Sequence, residues 1–357
     1  MYPSYLKDYV IGYNASVYEA AFRLMKNRTI LFVVDFYDRI VGVISKKEMN
    51  KAFVNEALSA EDICNKNYTR IYSDEDEYAV ARNIFGSGVS FKIIPIIDKN
   101  QNLIDIMSYN RAYYKTLFME GKLPRRHYAF CVWKALLEAK ALGYKSISVI
   151  EFGVAGGSGL RNLEYHAIEA SNIHGIETEI YGFDWGDGLH ETNCGYKDLQ
   201  HLFPKGGYCM GDKSGLENRL RKAKLIIGDI KDTANTFINN YHPSPIGAIM
   251  IDVDYYSSTC DILKFIESLD KEMLLPRVYL YFDDLRAEYE MQGEDLAIKE
   301  FNNRNDELNI SSESRWLETY WGRSTEKLKV LNVFKHSLYN TSICKRETSQ
   351  LPFIDTL

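Results

Sequence analysis

The chain has 357 residues, of which 46% are hydrophobic and 26% are charged, and its formal net charge is −6. This length exceeds the usual size of one domain, so we expect two domains, each with its own core. The acidic balance argues against a nucleic-acid partner, because phosphate backbones are bound by clustered Lys and Arg. No apolar run approaches the roughly 20 residues of a membrane helix, and no signal peptide is recognisable, so we expect a cytoplasmic protein without a membrane partner.

The first third of the chain contains an internal repeat. Each copy is a helix followed by a strand, a turn and a second strand. The first copy has these segments at 16–25, 30–35 and 39–45, and the second has them at 77–85, 92–98 and 102–108. This repetition predicts a pair of similar units related by a pseudo-twofold axis.

The ends of the two copies carry a recognisable motif. A Gly-Val-Ile-Ser run leads to Ser45, with Glu48 three residues later. This stretch resembles a tandem pair of cystathionine-β-synthase-type (CBS) domains, a Bateman module, which implies that Ser45 and Glu48 hold an adenosine nucleotide. The second copy keeps Ser108 but has Arg111 at the acid position and Asp105 for the glycine, so the resemblance implies one nucleotide site rather than two. A module used only for packing or dimerisation is the alternative, and we expect a homodimer.

A short connector separates this region from the rest of the chain. The predicted domains are residues 1–110 and 127–357, joined by a linker at 111–126. The connector is first aromatic and then basic, and we interpret its last residues, Arg125 and Arg126, as the solvated start of a helix. The second domain therefore begins near residue 127.

The second domain alternates short apolar runs with polar helical segments. This alternation predicts a parallel sheet that is covered by helices on both faces. The predicted strands are at 147–152, 180–183, 225–227, 246–251 and 278–282, and an antiparallel hairpin at 316–321 and 328–334 closes the sheet. The fold class is therefore α/β with a mostly parallel, Rossmann-like sheet.

A glycine-rich turn follows the first of these strands. The strand passes Glu151 and breaks into Gly-x-x-Gly-Gly-x-Gly, from Gly153 to Gly159, before a helix begins. Such a turn lets the backbone and the free N–H groups of a helix face a ligand, and the next strand ends in Asp184, where a ribose hydroxyl would need an acceptor. The spacing differs from the dinucleotide fingerprint, which disfavours a nicotinamide enzyme. A tight connection without a ligand is the alternative.

Two later strands run directly into acidic residues. One ends at Asp252, and the other ends at Asp283 and Asp284. Carboxylates brought together at one sheet edge would repel, so the sequence predicts a hard divalent ion, Mg²⁺ or Ca²⁺ rather than Zn²⁺. The alternative is that the acids cap the next helix and start a turn.

Motifs along the second domain resemble class I S-adenosylmethionine-dependent methyltransferases, in particular the macrocin-O-methyltransferase-like family. An open parallel sheet closed by an antiparallel hairpin is the plan of that class. The matching motifs are Phe-Asp-x-x-x-Gly-Leu-Pro at 183–190 with His190 for proline, Gly-x-x-x-Asp-Thr at 228–233, Asp-x-Asp-x-Tyr-x-Ser-Thr at 252–259 with one extra residue, Asp-Asp-Tyr at 283–285 with Leu285 for tyrosine, and Gly-x-x-x-Ala-x-x-x-Phe at 293–301.

The resemblance implies a role for each matching position. The cofactor would be S-adenosylmethionine, with its methionine part lined by Glu151, Gly153, Gly156 and Gly157, its ribose bound by Asp184, and its adenine facing Asp229 and Ile230. The metal, Mg²⁺ or another hard divalent ion, would be held by Asp252, Asp283 and Asp284.

The motifs do not identify a single general base. His190 is the first candidate, followed by Asp254 or Tyr255. The resemblance implies metal-assisted O-methyl transfer to a sugar or sugar-like hydroxyl, including nucleotide-linked sugars for surface glycans, with the adenosine-binding module as regulator. The competing hypothesis is a non-catalytic sensor that binds adenosyl compounds in both domains.

Overall fold

The computed structural model describes residues 4–27, 30–52, 58–192, 194–285, 291–312 and 326–341. The chain divides into two compact units. The first is Met1–Leu123 together with Ser214–Arg221, and the second is Pro124–Lys213 together with Lys222–Leu357. None of the helices in the described part of the chain has the length and apolar character needed to cross a membrane.

Helices and strands alternate along most of the described chain. Up to residue 123 the elements are α1 (Ser4–Lys7), β1 (Val10–Gly12), α2 (Val17–Asn27), β2 (Ile30–Val34), β3 (Ile40–Ser45), α3 (Lys46–Ala52), α4 (Ala60–Ile63), β4 (Ile71–Tyr72), α5 (Glu77–Gly86), β5 (Ile93–Ile97), β6 (Leu103–Ser108), α6 (Tyr109–Ala112) and α7 (Tyr114–Met119). Then follow α8 (Arg126–Leu142), β7 (Ser146–Phe152), α9 (Ser158–His174), β8 (Glu177–Asp184), α10 (Lys213–Glu217), β9 (Lys224–Ile227), α11 (Ile230–Tyr241), β10 (Ile246–Ile251), α12 (Tyr256–Ser268), β11 (Leu274–Phe282), α13 (Gly293–Arg304), β12 (Leu308–Ser312) and β13 (Leu328–Val333).

The first unit is built from two sheets with the same topology. Their strand orders are β1-β2-β3 and β4-β5-β6, and in each sheet a parallel pair is followed by an antiparallel pair. The predicted repeat is therefore confirmed. The strands β1 and β4 were not predicted, because runs of three and two residues are too short to show a periodic pattern.

The side chains of β2 point alternately into two cores, and the two sheets share one of these cores. Every residue of β2 is buried. Leu31 and Val33 point to one face and pack in a core with residues of α2, whereas Phe32 points to the other face and packs with Ile97 of β5 and Leu103 of β6. A strand buried on both faces reads as a continuous apolar run, and this one does.

The segment at 111–126 contains helical structure. The end of α6 and all of α7 lie in it, and the boundary between the units falls between Leu123 and Pro124. The helix predicted to begin at residue 127 is α8, which begins at Arg126 and ends before Gly143. Gly143 has a φ of +87° and donates its N–H to Ala139 and Lys140, which is the expected left-handed helix stop.

The second unit contains a seven-stranded sheet with the order β12-β13-β11-β10-β7-β8-β9. The five strands β7 to β11 are parallel, as predicted. Because β7 leads outward to β8 and β9 and the chain then returns to β10, the strand order reverses between β7 and β10. In open sheets of this kind, ligands bind outside the carboxyl ends of the strands at such a reversal.

The antiparallel closure of the sheet is confirmed, and the predicted strand at 328–334 is β13. Its partner in the hairpin is β12 rather than the predicted segment at 316–321. β13 pairs antiparallel with β11 and with β12. The partner strand β12 begins at Leu308 and alternates buried and more exposed residues over only part of its short length, which hid it in the sequence. The segment predicted at 316–321 lies outside the described residues.

His166 of α9 makes the stability of the second unit depend on pH in a predictable way. The side chain is fully buried, and its Nε2–H donates to the carbonyl of Pro124 at 2.8 Å. Burial lowers the pKa of His166 to about 4. The unfolded chain therefore binds more protons between about pH 4 and 6.5, and this part of the stability is lost as the pH falls through that window.

We expect the substitution His166→Gln, which keeps an N–H donor, to flatten this dependence. Between pH 7 and pH 5 the free energy of unfolding should fall by about 2 kcal/mol less in the variant than in the parent chain. Urea unfolding at both pH values measures the difference. Equal losses in the two proteins would contradict the buried neutral histidine.

Candidate functional site

A cavity of about 450 Å³ lies in the second unit at the carboxyl ends of β7, β8, β10 and β11. This volume is within the usual range of small-molecule sites. The cavity is lined by all the predicted site residues of this unit except Gly157 and the candidate base Tyr255, namely by Glu151, Gly153, Gly156, Asp184, His190, Asp229, Ile230, Asp252, Asp254, Asp283 and Asp284. Gly157 is the N-cap residue of α9.

The glycine turn needs glycine for two separate reasons. At Gly153, with a φ of +86°, an added Cβ would lie 1.7 Å from the carbonyl oxygen of Asp252. Gly157 has a φ of +83°, and it ends the turn by donating its N–H to Val154. At Gly156 an added Cβ would meet no atom of the protein within 4 Å. Gly153 and Gly157 are therefore required by the fold, whereas Gly156 keeps one wall of the cavity free.

Asp184 holds the glycine turn in place. Its Oδ2 accepts the backbone N–H groups of Val154 and Ala155, both at 2.8 Å, and its Oδ1 accepts that of Gly186 at 2.6 Å. A carboxylate offers about four lone pairs, so these bonds leave about one for a further donor. Asp184 therefore shapes the turn first, and a ribose hydroxyl is one additional partner that it has room to accept.

Glu151 is a completely buried acid beneath the turn. Its Oε1 accepts the hydroxyl of Tyr128 at 2.7 Å, and an added Cβ at Gly159 would lie 1.9 Å from this oxygen. Its Oε2 has no hydrogen-bond partner in the described chain. Burial raises the pKa of Glu151 to about 8. An unpaired buried carboxyl oxygen is costly, and a donor from a bound ligand would remove that cost.

Asp229 and Ile230 form another wall of the cavity. Asp229 is the N-cap of α11 and accepts the N–H of Lys231 at 2.9 Å. Gly228 before it has a φ of +143°, a conformation that favours glycine. This turn lies next to the Asp184 turn, since the N–H of Gly228 donates to the carbonyl of Asp184 at 2.9 Å.

The structure brings the three predicted metal ligands together. Asp252, Asp283 and Asp284 each offer one carboxylate oxygen, and these oxygens all lie within 4.8 Å of one another. Burial and the charges of Asp283 and Asp284 raise the pKa of Asp252 to about 7, and burial and Asp283 raise the pKa of Asp284 to about 6. The cluster is therefore electrostatically unfavourable without positive charge.

Among the residues that the structure describes, two side-chain cations form ion pairs with this cluster. Arg125 approaches Asp252 at 3.7 Å, and Lys327 approaches Asp283 at 3.6 Å. They balance only two of the three acids, and the Oδ2 of Asp284 is buried without a hydrogen-bond partner in the described chain. Oxygen-only donors with an unpaired buried oxygen fit a hard divalent ion. The alternative that the acids cap the next helix is not supported, because the N-cap of α13 is Gln292.

The three candidate bases differ in their surroundings. His190 is exposed and has ring contacts with Trp185 and Tyr255, but no described residue hydrogen-bonds to its imidazole. Tyr255 is fully buried and donates its hydroxyl to the carbonyl of Phe203 at 2.9 Å, and it does not line the cavity.

Asp254 is held in a strained turn at the cavity. Its φ is +59°, and the N–H of Tyr255 donates to the carbonyl of Val253 at 2.6 Å across it, which is a γ-turn. Burial and the charge of Asp284 raise the pKa of Asp254 to about 8. Strained non-glycine residues of this kind cluster at functional sites, so the geometry favours Asp254 over His190.

Among the cavity residues that were not predicted from the sequence are Arg125 and Tyr208. Arg125 was interpreted as part of a solvated helix start, but it lines the cavity and donates from Nη1 to the hydroxyl of Tyr128 at 3.2 Å. Tyr208 lines the cavity from the loop after β8, with a φ of +59°. The charge of Asp254 and partial burial raise the pKa of Tyr208. Neither residue belongs to a recognisable motif.

In the first unit, Ser45 and Glu48 bond to each other. The backbone N–H of Ser45 donates to Glu48 Oε2 at 3.1 Å, and the Ser45 hydroxyl donates to the same oxygen. Both residues therefore cap the start of α3, as in a capping box. The capping role and a ligand role are compatible, because a carboxylate keeps further lone pairs.

The second copy has a different arrangement at the equivalent positions. Ser108 accepts the N–H of Arg111 at 3.1 Å, and the Arg111 guanidinium forms an ion pair with Asp105 at 2.8 Å. Arg221 adds a second cation, 3.2 Å from Asp105. Although burial opposes it, the charges of Arg111 and Arg221 lower the pKa of Asp105. An ion-pair cluster thus occupies the position of the acid and glycine of the first copy.

Residues 6–55 match the family model of the CBS domain. Among curated proteins, a homoserine O-acetyltransferase of Methanosphaera stadtmanae is 33% identical over 95 residues, which are 26% of this chain and 19% of that protein. The chain thus spans about a fifth of the length of the curated relative it matches.

Solved structures of CBS pairs are also similar to part of the chain. CBSX2 from Arabidopsis thaliana is 20% identical, with 30% of this chain and 84% of that chain covered and a TM-score of 0.27. The CBS pair of protein MJ0100, solved with 5′-methylthioadenosine and S-adenosyl-L-methionine, is 23% identical, with 30% and 86% covered and a TM-score of 0.25. A CBS domain therefore lies in the N-terminal part of the first unit, and the sheet β4-β5-β6 that follows it has the same topology as its sheet β1-β2-β3.

Proposed function

We propose that the second unit is an S-adenosylmethionine-dependent O-methyltransferase and that the CBS region is its adenosine-binding regulator. The observation that carries this proposal is the shared cavity. The glycine turn with the unpaired buried oxygen of Glu151 and the acid cluster of Asp252, Asp283 and Asp284 line one space of about 450 Å³. One part of this space suits a nucleoside with an amino acid group, and the other suits a hydroxyl acceptor.

The cofactor side is served by residues with free polar groups. Glu151 Oε2 would accept a hydrogen bond from the amino group of the methionine part. The open space at Gly156 would admit the ligand against the backbone, and Asp184 would accept one ribose hydroxyl. Asp229 and Ile230 would flank the adenine. In this arrangement the protein binds and orients the cofactor without reacting with it.

The acceptor side is served by the acid cluster. Asp252, Asp283 and Asp284 would hold Mg²⁺ or another hard divalent ion, which supplies positive charge that lowers the pKa of an acceptor hydroxyl. Asp254, fixed in its strained turn, would take the proton of that hydroxyl. Arg125 would keep Asp252 oriented through their contact at 3.7 Å. The acceptor that we propose is a sugar or sugar-like hydroxyl.

Calorimetry with S-adenosylmethionine and an assay for S-adenosylhomocysteine test this function. We expect the full chain to bind the cofactor and to release S-adenosylhomocysteine when Mg²⁺ and a sugar from a panel of nucleotide-linked and free sugars are added. Binding without turnover across such a panel would favour the sensor hypothesis. Absence of any binding would contradict both.

We expect the first unit to bind one adenosine nucleotide per chain. Glu48→Ala should lower the affinity by about tenfold, because a charge-assisted hydrogen bond to the ribose is lost. Asp62→Ala is a matched control, since Asp62 caps α4 through Ser59 in the same way as Glu48 caps α3. Calorimetry with AMP, ADP and ATP measures affinity and stoichiometry. Equal effects of the two substitutions, or two nucleotides per chain, would count against the assignment.

A further inference from the structure

Glu294 is a buried acid that none of the roles above uses. It lies in the first turn of α13 and is only 1% exposed. Gly293 before it has a φ of +55°, and this sharp backbone turn brings the start of α13 to the acid cluster. The contact is direct, because Glu294 Oε2 accepts the backbone N–H of Asp284 at 2.9 Å.

The other oxygen of Glu294, Oε1, has no hydrogen-bond partner in the part of the chain that the structure describes. This oxygen is buried. The Oδ2 of Asp284 is a second buried oxygen without a partner in the described chain. The two residues that carry these oxygens are linked by the hydrogen bond from the Asp284 N–H to the Glu294 carboxylate. Each unpaired buried acceptor is costly, so a donor or a cation at this place would stabilise both.

Helix capping does not account for this acid. A negative charge near a helix N-terminus is favourable, but Glu294 bonds to Asp284 rather than to the first N–H groups of its own helix. The cap residue Gln292 also makes no side-chain capping bond.

We propose that Glu294 is a positioning residue of the divalent-ion site. One oxygen fixes the main chain of Asp284, and the other accepts a hydrogen bond from a water molecule of the hydrated ion. Mg²⁺ keeps several of its waters in proteins, and the partners of such waters and ligands affect affinity almost as much as the ligands do. This inference rests on the proposed function, because it requires that the acid cluster binds an ion.

Mn²⁺ binding to the full chain, followed by electron paramagnetic resonance without cofactor or acceptor, tests the inference. Glu294→Gln keeps the shape and the acceptor for the Asp284 N–H but replaces the unpaired oxygen by a donor. We expect its Kd for Mn²⁺ to rise about tenfold or more. The matched control is Glu300→Gln on the same helix, whose partners are Lys197 and Tyr256, and its Kd should stay within about twofold.

Glu294→Asp is the second variant, and it should lose affinity to a similar extent, because the shorter side chain keeps the charge but does not reach both partners. Circular dichroism and the thermal midpoint confirm that each variant is folded. Normal Mn²⁺ affinity in folded Glu294→Gln would overturn the positioning role and leave the proposed function standing. No Mn²⁺ binding by the parent chain would overturn the metal site itself, whereas calorimetry with S-adenosylmethionine would still report separately on the cofactor site.

Discussion

Replacing Asp283 by asparagine should lower methyl transfer by about 100-fold or more, while S-adenosylmethionine still binds. The substitution keeps Oδ1, which accepts the hydroxyl of Tyr281, but removes the charge that balances a divalent ion. An ion at such a site stabilises a developing oxyanion by several kcal/mol, and each 1.4 kcal/mol is about tenfold in rate. Asp252→Asn should act in the same direction, because Asp252 belongs to the same group of oxygens within 4.8 Å.

Turnover and binding must be measured on the same samples to separate this effect from a loss of stability. Release of S-adenosylhomocysteine reports turnover, and calorimetry reports cofactor affinity. Asp270→Asn is a suitable control, since Asp270 is an exposed acid that caps a short helix by accepting the N–H of Glu272 at 2.9 Å. Methyl transfer that persists in EDTA would remove the ion from the mechanism, and Asp254 would then be the first residue to test as a base that acts without a metal, with His190 second.

The sequence was sufficient to place the acids and the glycine turn, because their position depends on strand ends. A residue that directly follows a parallel strand lies at the carboxyl edge of the sheet whatever the rest of the chain does. Asp252 follows β10, and Asp283 follows β11, which is its neighbour in the sheet. Their proximity therefore followed from two strand predictions alone.

Residues that reach the cavity from outside the sheet were beyond such reasoning. Arg125 precedes α8 with a left-handed φ of +39°, and its contact with Asp252 depends on how that helix packs on the sheet. Tyr208 depends on a loop whose shape is set by hydrogen bonds between Leu189 and both Gly206 and Gly207. These contacts join residues that are distant in sequence, and no local pattern records them.

The role of Asp184 shows a different limit of the sequence. Its place at the end of β8 was predicted, and it lines the cavity. Three of its hydrogen bonds nevertheless go to backbone amides of the protein. The chemistry of a carboxylate is the same whether it serves a ligand or a turn, so the sequence alone does not separate the two. The same holds for Glu48, which caps α3.

Replacing Gly156 by valine should abolish binding of S-adenosylmethionine without unfolding the chain. An added Cβ at Gly156 meets no protein atom within 4 Å, and its backbone φ is not one that only glycine adopts. The bulky side chain would instead enter the space where the ligand must approach the turn. We expect affinity to fall by about 100-fold or more for Gly156→Val and by less for Gly156→Ala, in proportion to the space each side chain occupies.

Gly86→Val is the matched control. Gly86 belongs to α5 of the first unit, and its φ also lies outside the left-handed region. A Cβ added there would approach only the Tyr113 hydroxyl, at 3.7 Å. Calorimetry on the parent chain and the three variants gives the affinities, and circular dichroism confirms folding. The two Gly156 variants should lose binding in order of size, whereas Gly86→Val should bind as the parent chain does. Unchanged affinity in a folded Gly156→Val variant would mean that the cofactor does not approach this turn, and the unpaired oxygen of Glu151 would then need another partner.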